Sequence, residues 1–429
     1  MNMHNVSWVR QDMVSPSARP DRQNGRLEWT RKNLFNGWVS TFLTLASVAA
    51  ILWLAVAVAP WLGNSVWQAT SLAECRQLLD GAPGACWAVI RDRWPQLLFG
   101  FYPPHLYWRP VLAFALLFAA FAPVLFRSPP ARALWFSAVY PGIAYWLIWG
   151  GSLWFPTAVY LGFAVAVGLI SLSARISHGF AISVAILGAV LWWLYAVEPL
   201  TSTANALLPI TLDVVASRDI GGFLLSIVIG GTGIAMSLPL GILLALGRRS
   251  SLPLIHLLSV VFIEFIRGVP LITLLFTASL LLNYFLPPGT NFDLILRVVI
   301  MVTLFASAYM AEVIRGGLAA LPRGQYEAAE ALGLDYWKAQ RLVILPQALK
   351  ISIPGIVNSF IGLFKDTTLV MFIGLLDPIA LAAAIRANTN WQGIYWELFI
   401  FIGALFFVFC FGMSRYSMYL ERRLKTDHR

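Results

Sequence analysis

Charged side chains are scarce in this sequence, so the few that stand in or beside its long apolar runs define the chemistry open to it. Glu264 and Arg267, in FIEFIRGVPLI, are three residues apart. On a helix they share a face and can neutralise each other. Gly268 and Pro270 follow at once and weaken the helix about 15 residues into its run, near mid-membrane at roughly 1.5 Å per residue. An ion pair beside freed backbone carbonyls suits the handling of a polar solute, and equally the holding together of helices. Glu312 and Arg315, in AYMAEVIRGGL, repeat the spacing at the end of another apolar run. Close to water such a pair costs little, which favours a structural or gating role. Lys365 and Asp366, followed by Thr367 and Thr368 in LFKDTTLV, fall near the centre of a third run. Neighbours on a helix point about 100° apart, so this Lys and Asp cannot simply pair, and at least one must face a cavity or another helix. The chemistry on offer is recognition: Asp366 for an α-amino group, Arg267 for an α-carboxylate held by two parallel hydrogen bonds.

Bond-making chemistry has no comparable constellation. The five histidines, at 4, 105, 178, 256 and 428, form neither a metal-ligand spacing nor a catalytic cluster. His256 reads as a packed or interfacial residue. A phosphate-cradling loop ends a Gly-rich turn in Lys and Ser or Thr, and none of Lys32, Lys338, Lys350, Lys365 and Lys425 follows a glycine. The expectation is a chain with no catalytic residue, no metal and no nucleotide site of its own.

Apolar helices must position these groups. Of 429 residues, 59% are hydrophobic and 12% charged, more oil than a water-soluble domain buries. Runs near the roughly 20 residues that cross a bilayer lie at 36–60, 110–126, 133–150, 154–172 and 179–197, and again at 221–247, 254–284, 294–315, 353–376 and 394–419. The reading is an all-α polytopic membrane protein of about ten transmembrane helices. With the N-terminus in the cytosol, 21 Arg and Lys fall inside, 6 outside and 3 (Arg267, Arg297, Lys365) within spans, a strong positive-inside bias that places both termini in the cytosol. The formal charge of +10 is spread over short segments rather than one patch, which argues against a nucleic-acid partner. The polar first 34 residues before a long apolar run read as a retained anchor, not a cleaved signal peptide.

Four parts follow: a cytosolic tail at 1–34, a five-helix extension at 35–215 with an outside loop at 62–109, a five-helix core at 216–420, and a cytosolic tail at 421–429. Small and polar residues at 198–219 mark the boundary, and no internal repeat is evident. The extension is rich in Trp, whereas the core keeps the charges. In the 62–109 loop, LLFGFYPP with Trp108, Arg109 and Pro110 suits an interfacial anchor or a partner surface. Cys75 and Cys86 share this loop. A disulfide between them makes sense only in an oxidising compartment, and free thiols are the alternative.

One polar stretch interrupts the core, PRGQYEAAEALGLDYWKAQRLVILPQ from Pro322 to Gln347. Strong helix formers fill Gln325 to Leu332, Gly333 sits where a left-handed cap belongs, Asp335 can cap a second helix and Pro346 ends it. Glu327, Ala328, Ala329 and Gly333, followed by Val343, Leu345 and Pro346, match the EAA motif of ABC importer permeases, with Val343 where Ile is commonest. The Arg-Gly-x-Pro-Leu of residues 267–271 and the Lys-Asp-Thr-Thr of 365–368 resemble the polar amino-acid permeases of the histidine and glutamine type, Thr368 replacing a common Ser. GACWAV, LLFGFYPP and WRP in the first outside loop resemble the M-type permease subunit of general L-amino-acid ABC importers.

That resemblance implies a type I ABC importer core in a bacterial inner membrane, with 322–347 as cytosolic coupling helices and Glu327, Ala328, Ala329, Gly333, Leu345 and Pro346 at the docking site. It implies a second, Q-type permease forming a heterodimer, two cytosolic ATPase subunits that bind ATP and Mg, and a periplasmic amino-acid-binding protein. Transport would move L-amino acids inward by alternating access, along a pathway that includes Glu264, Arg267, Lys365, Asp366, Thr367 and Thr368. A secondary, ion-coupled transporter is the rival reading; it would usually show inverted repeats. A membrane-embedded enzyme would need a reactive cluster near an interface.

Overall fold

The computed structural model describes residues 25–126, 129–173, 177–281 and 293–424. Arg127, Arg175 and the charges of the first 24 and last five residues, all used in the orientation count, lie outside the described residues. By internal packing the chain divides into two units, 1–67 with 75–86, and 68–74 with 87–429.

In the first unit, α1 (Arg26–Leu34) precedes α2 (Trp38–Gly63), a 26-residue apolar helix with no buried residue. Such an all-round apolar surface is what a lipid-solvated helix presents. The end of α2 is tied to the loop that follows α3 (Leu72–Leu79). Ala85 N–H donates to the Trp61 carbonyl at 2.8 Å and Val66 N–H to the Ala85 carbonyl at 2.8 Å. The Asn64 amide donates to the Pro83 carbonyl at 3.2 Å. Cys75 and Cys86, both buried, are joined as a disulfide with Cα atoms 6.0 Å apart.

The second unit holds the remaining helices. α4 (Ala88–Phe99) leads to α5 (Trp108–Leu125), α6 (Leu134–Trp149), α7 (Trp154–Ser173), α8 (His178–Leu191) and α9 (Val197–Leu207). The two-residue strands β1 (Gly151–Ser152) and β2 (Thr211–Leu212) pair antiparallel after α6 and α9. A π turn over Trp192–Ala196 keeps α8 and α9 in one rod ending at Leu207, so helix runs ten residues beyond the expected end at 197. Next come α10 (Gly222–Arg248), α11 (Pro253–Gly268), α12 (Leu271–Phe276) and α13 (Leu294–Ala319). The polar stretch supplies α14 (Arg323–Ala331) and α15 (Tyr336–Ala339). Last are α16 (Leu345–Asp366), α17 (Pro378–Ala387) and α18 (Trp396–Leu424).

Among the described residues eight helices are long and apolar enough to cross a membrane, nine if the bent α11–α12 pair is one span. The expected span missing from these is the one at 133–150, which corresponds to α6; at 16 residues it is shorter than the roughly 20 a bilayer asks for. Gly268 and Pro270 do break their helix: α11 and α12 meet at 104°, because Pro270 has no N–H to donate and crowds the preceding turn.

Among the described residues two large apolar clusters, with a small third at Ile266, Leu274 and Ala308, form the core of this unit. One, at the end away from the polar stretch, centres on Leu225, Ile229, Val298, Val302 and Val370. The other, beside the polar stretch, contains Met310, Ile314, Leu318, Ile344 and Ala348. Helices α13 and α16 approach closely at Gly317, where an added Cβ would run into the Ser352 hydroxyl and the Ala348 carbonyl. Small residues at such crossings let backbones touch in lipid, where dispersion contacts drive association. Helix α4 packs onto α10, α17 and α18. It carries Asp92, whose carboxylate accepts at 2.9 Å from the indole N–H of the fully buried Trp391.

Candidate functional site

The polar stretch folds as two helices around a glycine. Gly333 takes φ +69°, its N–H donates to the Glu330 carbonyl at 2.9 Å, and the Leu334 N–H reaches the Ala329 carbonyl at 3.2 Å. Those two bonds are a Schellman cap, which needs a left-handed residue where only glycine is unstrained. Asp335 then caps α15 by accepting from the Lys338 N–H at 2.9 Å. That bond holds the Asp335 carboxyl below the usual carboxylate range.

The expectation that Pro346 ends the second helix is corrected. The chain passes from α15 through a π turn at Gln340–Ile344 into α16, giving one helical rod from Tyr336 to Ile373. Pro346 lies in the first turn of α16, where its missing N–H and fixed φ are tolerated. Leu345 is therefore the start of the long helix rather than the end of a short one.

Helix α14 is two-sided. Glu327 and Ala328 are exposed, Ala329 is buried and Tyr326 packs against the apolar cluster beneath. The amides of Gln347 and Gln325 bond at 2.9 Å, fastening α14 to the first turn of α16. Outward, then, the stretch shows a short acidic and alanine face with the exposed aromatics Tyr336 and Trp337 beside it.

Just beneath lies a network of ions drawn from three helices. Glu264 and Arg267 do not pair with each other, contrary to the expectation from their spacing. Glu264 accepts from Arg248 of α10 at 2.8 Å, and Arg267 lies 3.6 Å from Glu312 of α13. Spacing of three allows a pair, but two other helices, α10 and α13, supply the partners found here. Glu312 does pair with Arg315, as expected, and also takes Arg248 at 3.3 Å. One carboxylate is thus shared by arginines of α10, α11 and α13. Arg267 also lies 5.7 Å from the Tyr309 ring, and its Nε is buried with no hydrogen-bond partner.

The Lys-Asp-Thr-Thr group sits elsewhere. Asp366 ends α16 and Thr367 opens a 3-10 stretch to Ile373, so the group lies towards the far end of the rod rather than at its centre. Thr367 and Thr368 hydroxyls donate back to the Phe364 and Lys365 carbonyls at 2.8 and 2.9 Å. Lys365 is exposed and Asp366 half-buried, and among the described residues no ion pair joins them. The structure does not gather Arg267 and Asp366 into one site: Arg267 belongs to the network near the polar stretch, Asp366 to the opposite end. The spacing argument missed Arg248, Arg249 and Tyr326; the adjacent arginines enter the sequence reading only among the 21 Arg and Lys counted on the cytosolic side.

The fold is thus that of an all-α, multi-span membrane protein with an ion network among its helices and a polar helical loop, a form that transport proteins share with other membrane proteins. The chain matches the family described as binding-protein-dependent transport system inner membrane component over residues 237–426. It is 58% identical over 435 residues to the glutamate/glutamine/aspartate/asparagine transport system permease protein BztC of Rhodobacter capsulatus, covering 100% of each chain. It is 39% identical over 424 residues to the inner membrane amino-acid ABC transporter permease protein YhdY of Escherichia coli, covering 96% of this chain and 98% of that one. The chain therefore belongs to this inner membrane transport family, among its amino-acid ABC transporter permeases. A shorter relative, the probable glutamine ABC transporter permease protein GlnP of Bacillus subtilis, is 30% identical over 204 residues, which is 47% of this chain and 91% of that protein. About half of the present chain has no counterpart in that shorter permease.

Proposed function

We propose that this permease imports acidic amino acids and their amides, driven by ATP hydrolysed on separate subunits that dock against α14 and α15. The observation that carries the reading is the two-sided α14, exposed at Glu327 and Ala328 and seated inward through Ala329 and Tyr326 on the helices that hold the ion network. Substrate class is drawn from the full-length relative named for glutamate, glutamine, aspartate and asparagine.

In this mechanism a periplasmic binding protein delivers the amino acid, and two ATPases carrying ATP and Mg close in the cytosol. Their closure moves the loop around Gly333, and the core helices exchange outward for inward opening with a second, Q-type permease as partner. Both termini and the polar stretch face the cytosol, in keeping with the excess of Arg and Lys on that side. Glu327, Ala328, Ala329, Gly333, Leu345 and Pro346 make the docking site. Glu264, Arg267, Lys365, Asp366, Thr367 and Thr368 line the route, and Glu312 with Arg315 acts at its inner gate. The separation of Arg267 from Asp366 supports successive contacts along the route rather than one clamp holding both ends of the substrate.

The complex reconstituted in vesicles with binding protein outside tests this. Glutamate or glutamine uptake is expected with ATP inside and is expected to vanish without it. Uptake driven by an ion gradient in vesicles lacking the ATPases would overturn the reading.

A further inference from the structure

We propose that the adjacent arginines Arg248 and Arg249, in the last turn of α10 and at its cap, are the positioning residues that link α14 to the ion network inside the core. This rests on the coupling reading above and names the residues through which it acts. Neighbouring helical residues point about 100° apart, so one turn of α10 can hold two different structures at once.

Arg249 faces the polar stretch. It donates to the Tyr326 hydroxyl at 2.8 Å and to the Leu318 carbonyl at the end of α13 at 3.5 Å. Its guanidinium also lies 5.4 Å from the centre of the Tyr326 ring. The Tyr326 hydroxyl in turn donates to the same Leu318 carbonyl at 3.3 Å. Tyr326 directly precedes the exposed Glu327, so a load on the outer face of α14 reaches Arg249 through one residue.

Arg248 faces the core. One nitrogen serves both Glu264 at 2.8 Å and Glu312 at 3.3 Å. Its carbonyl is 2.7 Å from the His256 ring at the start of α11. Within the network three arginines face two carboxylates, and among the described residues Arg248 is the one in direct contact with both. Glu312 keeps Arg267 and Arg315 if Arg248 withdraws, whereas Glu264 loses the partner shown here. Turning the last turn of α10 thus repartitions charge between α11 and α13, which is a discrete two-state change rather than a graded strain.

The test uses the whole reconstituted complex and reads uptake and ATP hydrolysis on the same vesicles, with co-purification of the ATPases as the check on assembly. For Arg249→Gln, uptake per ATP hydrolysed is expected to fall about tenfold, the order of a typical coupling between sites. Tyr326→Phe, which keeps the ring and removes the hydroxyl, should lower the same ratio in the same direction. The double variant should be no worse than the poorer single one, since both remove one link. Arg249→Lys, which retains charge, should recover part of the ratio. A normal ratio in both single variants, or strictly additive losses, would overturn the proposal. Glu327→Lys run in parallel separates the cases: if it loses uptake while Arg249→Gln and Tyr326→Phe do not, only this link fails, and if all three are normal the coupling reading itself fails.

Discussion

Glu312 shows how far a single residue's role depends on neighbours that spacing does not reveal. The i,i+3 rule correctly joins it to Arg315, yet Arg248 and Arg267 also converge on it from two other helices. The same rule fails for Glu264 and Arg267, because both find partners across helix contacts. Asp366→Asn is expected to raise the KM for acidic amino acids or shift preference among them; unchanged kinetics would reduce Asp366 to a packing role. A second residue-level expectation concerns Asp377, the fully buried cap of α17, which accepts from Ala380 and Ile379 N–H groups at 2.9 and 3.2 Å. Burial pushes its carboxyl up to about 6 from 3.8. A raised pKa favours the protonated form in the folded state, so its stabilisation is full below about pH 4 and is lost as pH rises through 6. Two units amount to about 3 kcal/mol. Thermal unfolding of the purified protein between pH 4.5 and 7.5 should therefore show a loss with rising pH that Asp377→Asn flattens, as it keeps the cap acceptor without the charge. An identical slope in the variant would contradict this.

At the level of elements, much of the polar stretch was legible because its signals are local. Gly333 and Asp335 act within four residues of themselves, and both do what their types foretell. Pro346 is not legible in this way, because a proline that ends one helix and a proline that opens the next look alike in sequence; the π turn that carries the chain into α16 has Gln340 and Ile344 buried. The α11–α12 break was legible for the converse reason, since Pro270 cannot donate whatever its surroundings. Gly333→Pro should abolish uptake with insertion intact, because proline cannot adopt φ +69°. Within the bundle, Gly317→Val is expected to destabilise the α13–α16 crossing by about 1–3 kcal/mol through overpacking. A lowered melting temperature checks it, and an unchanged one would mean that the helices separate freely there.

Across the molecule, composition and charge bias were enough to establish a multi-span helical protein, since no arrangement of soluble layers buries so much apolar surface. The exact number of spans was not, because α6 is short and α11–α12 is bent. Nor could sequence show that α4 would seat on α10, α17 and α18 with Asp92 holding Trp391, a contact separated by 299 residues. The family match covers residues 237–426, so the contact ties a helix outside that region to the part that holds the proposed route. The central claim is that the exposed face of α14 transmits ATP hydrolysis to that route. Glutamate uptake and ATP hydrolysis measured together in vesicles holding the Glu327→Lys complex test it most directly. The account predicts loss of uptake with the chain still inserted in the membrane, whereas normal uptake at a normal ratio to ATP hydrolysed would contradict it.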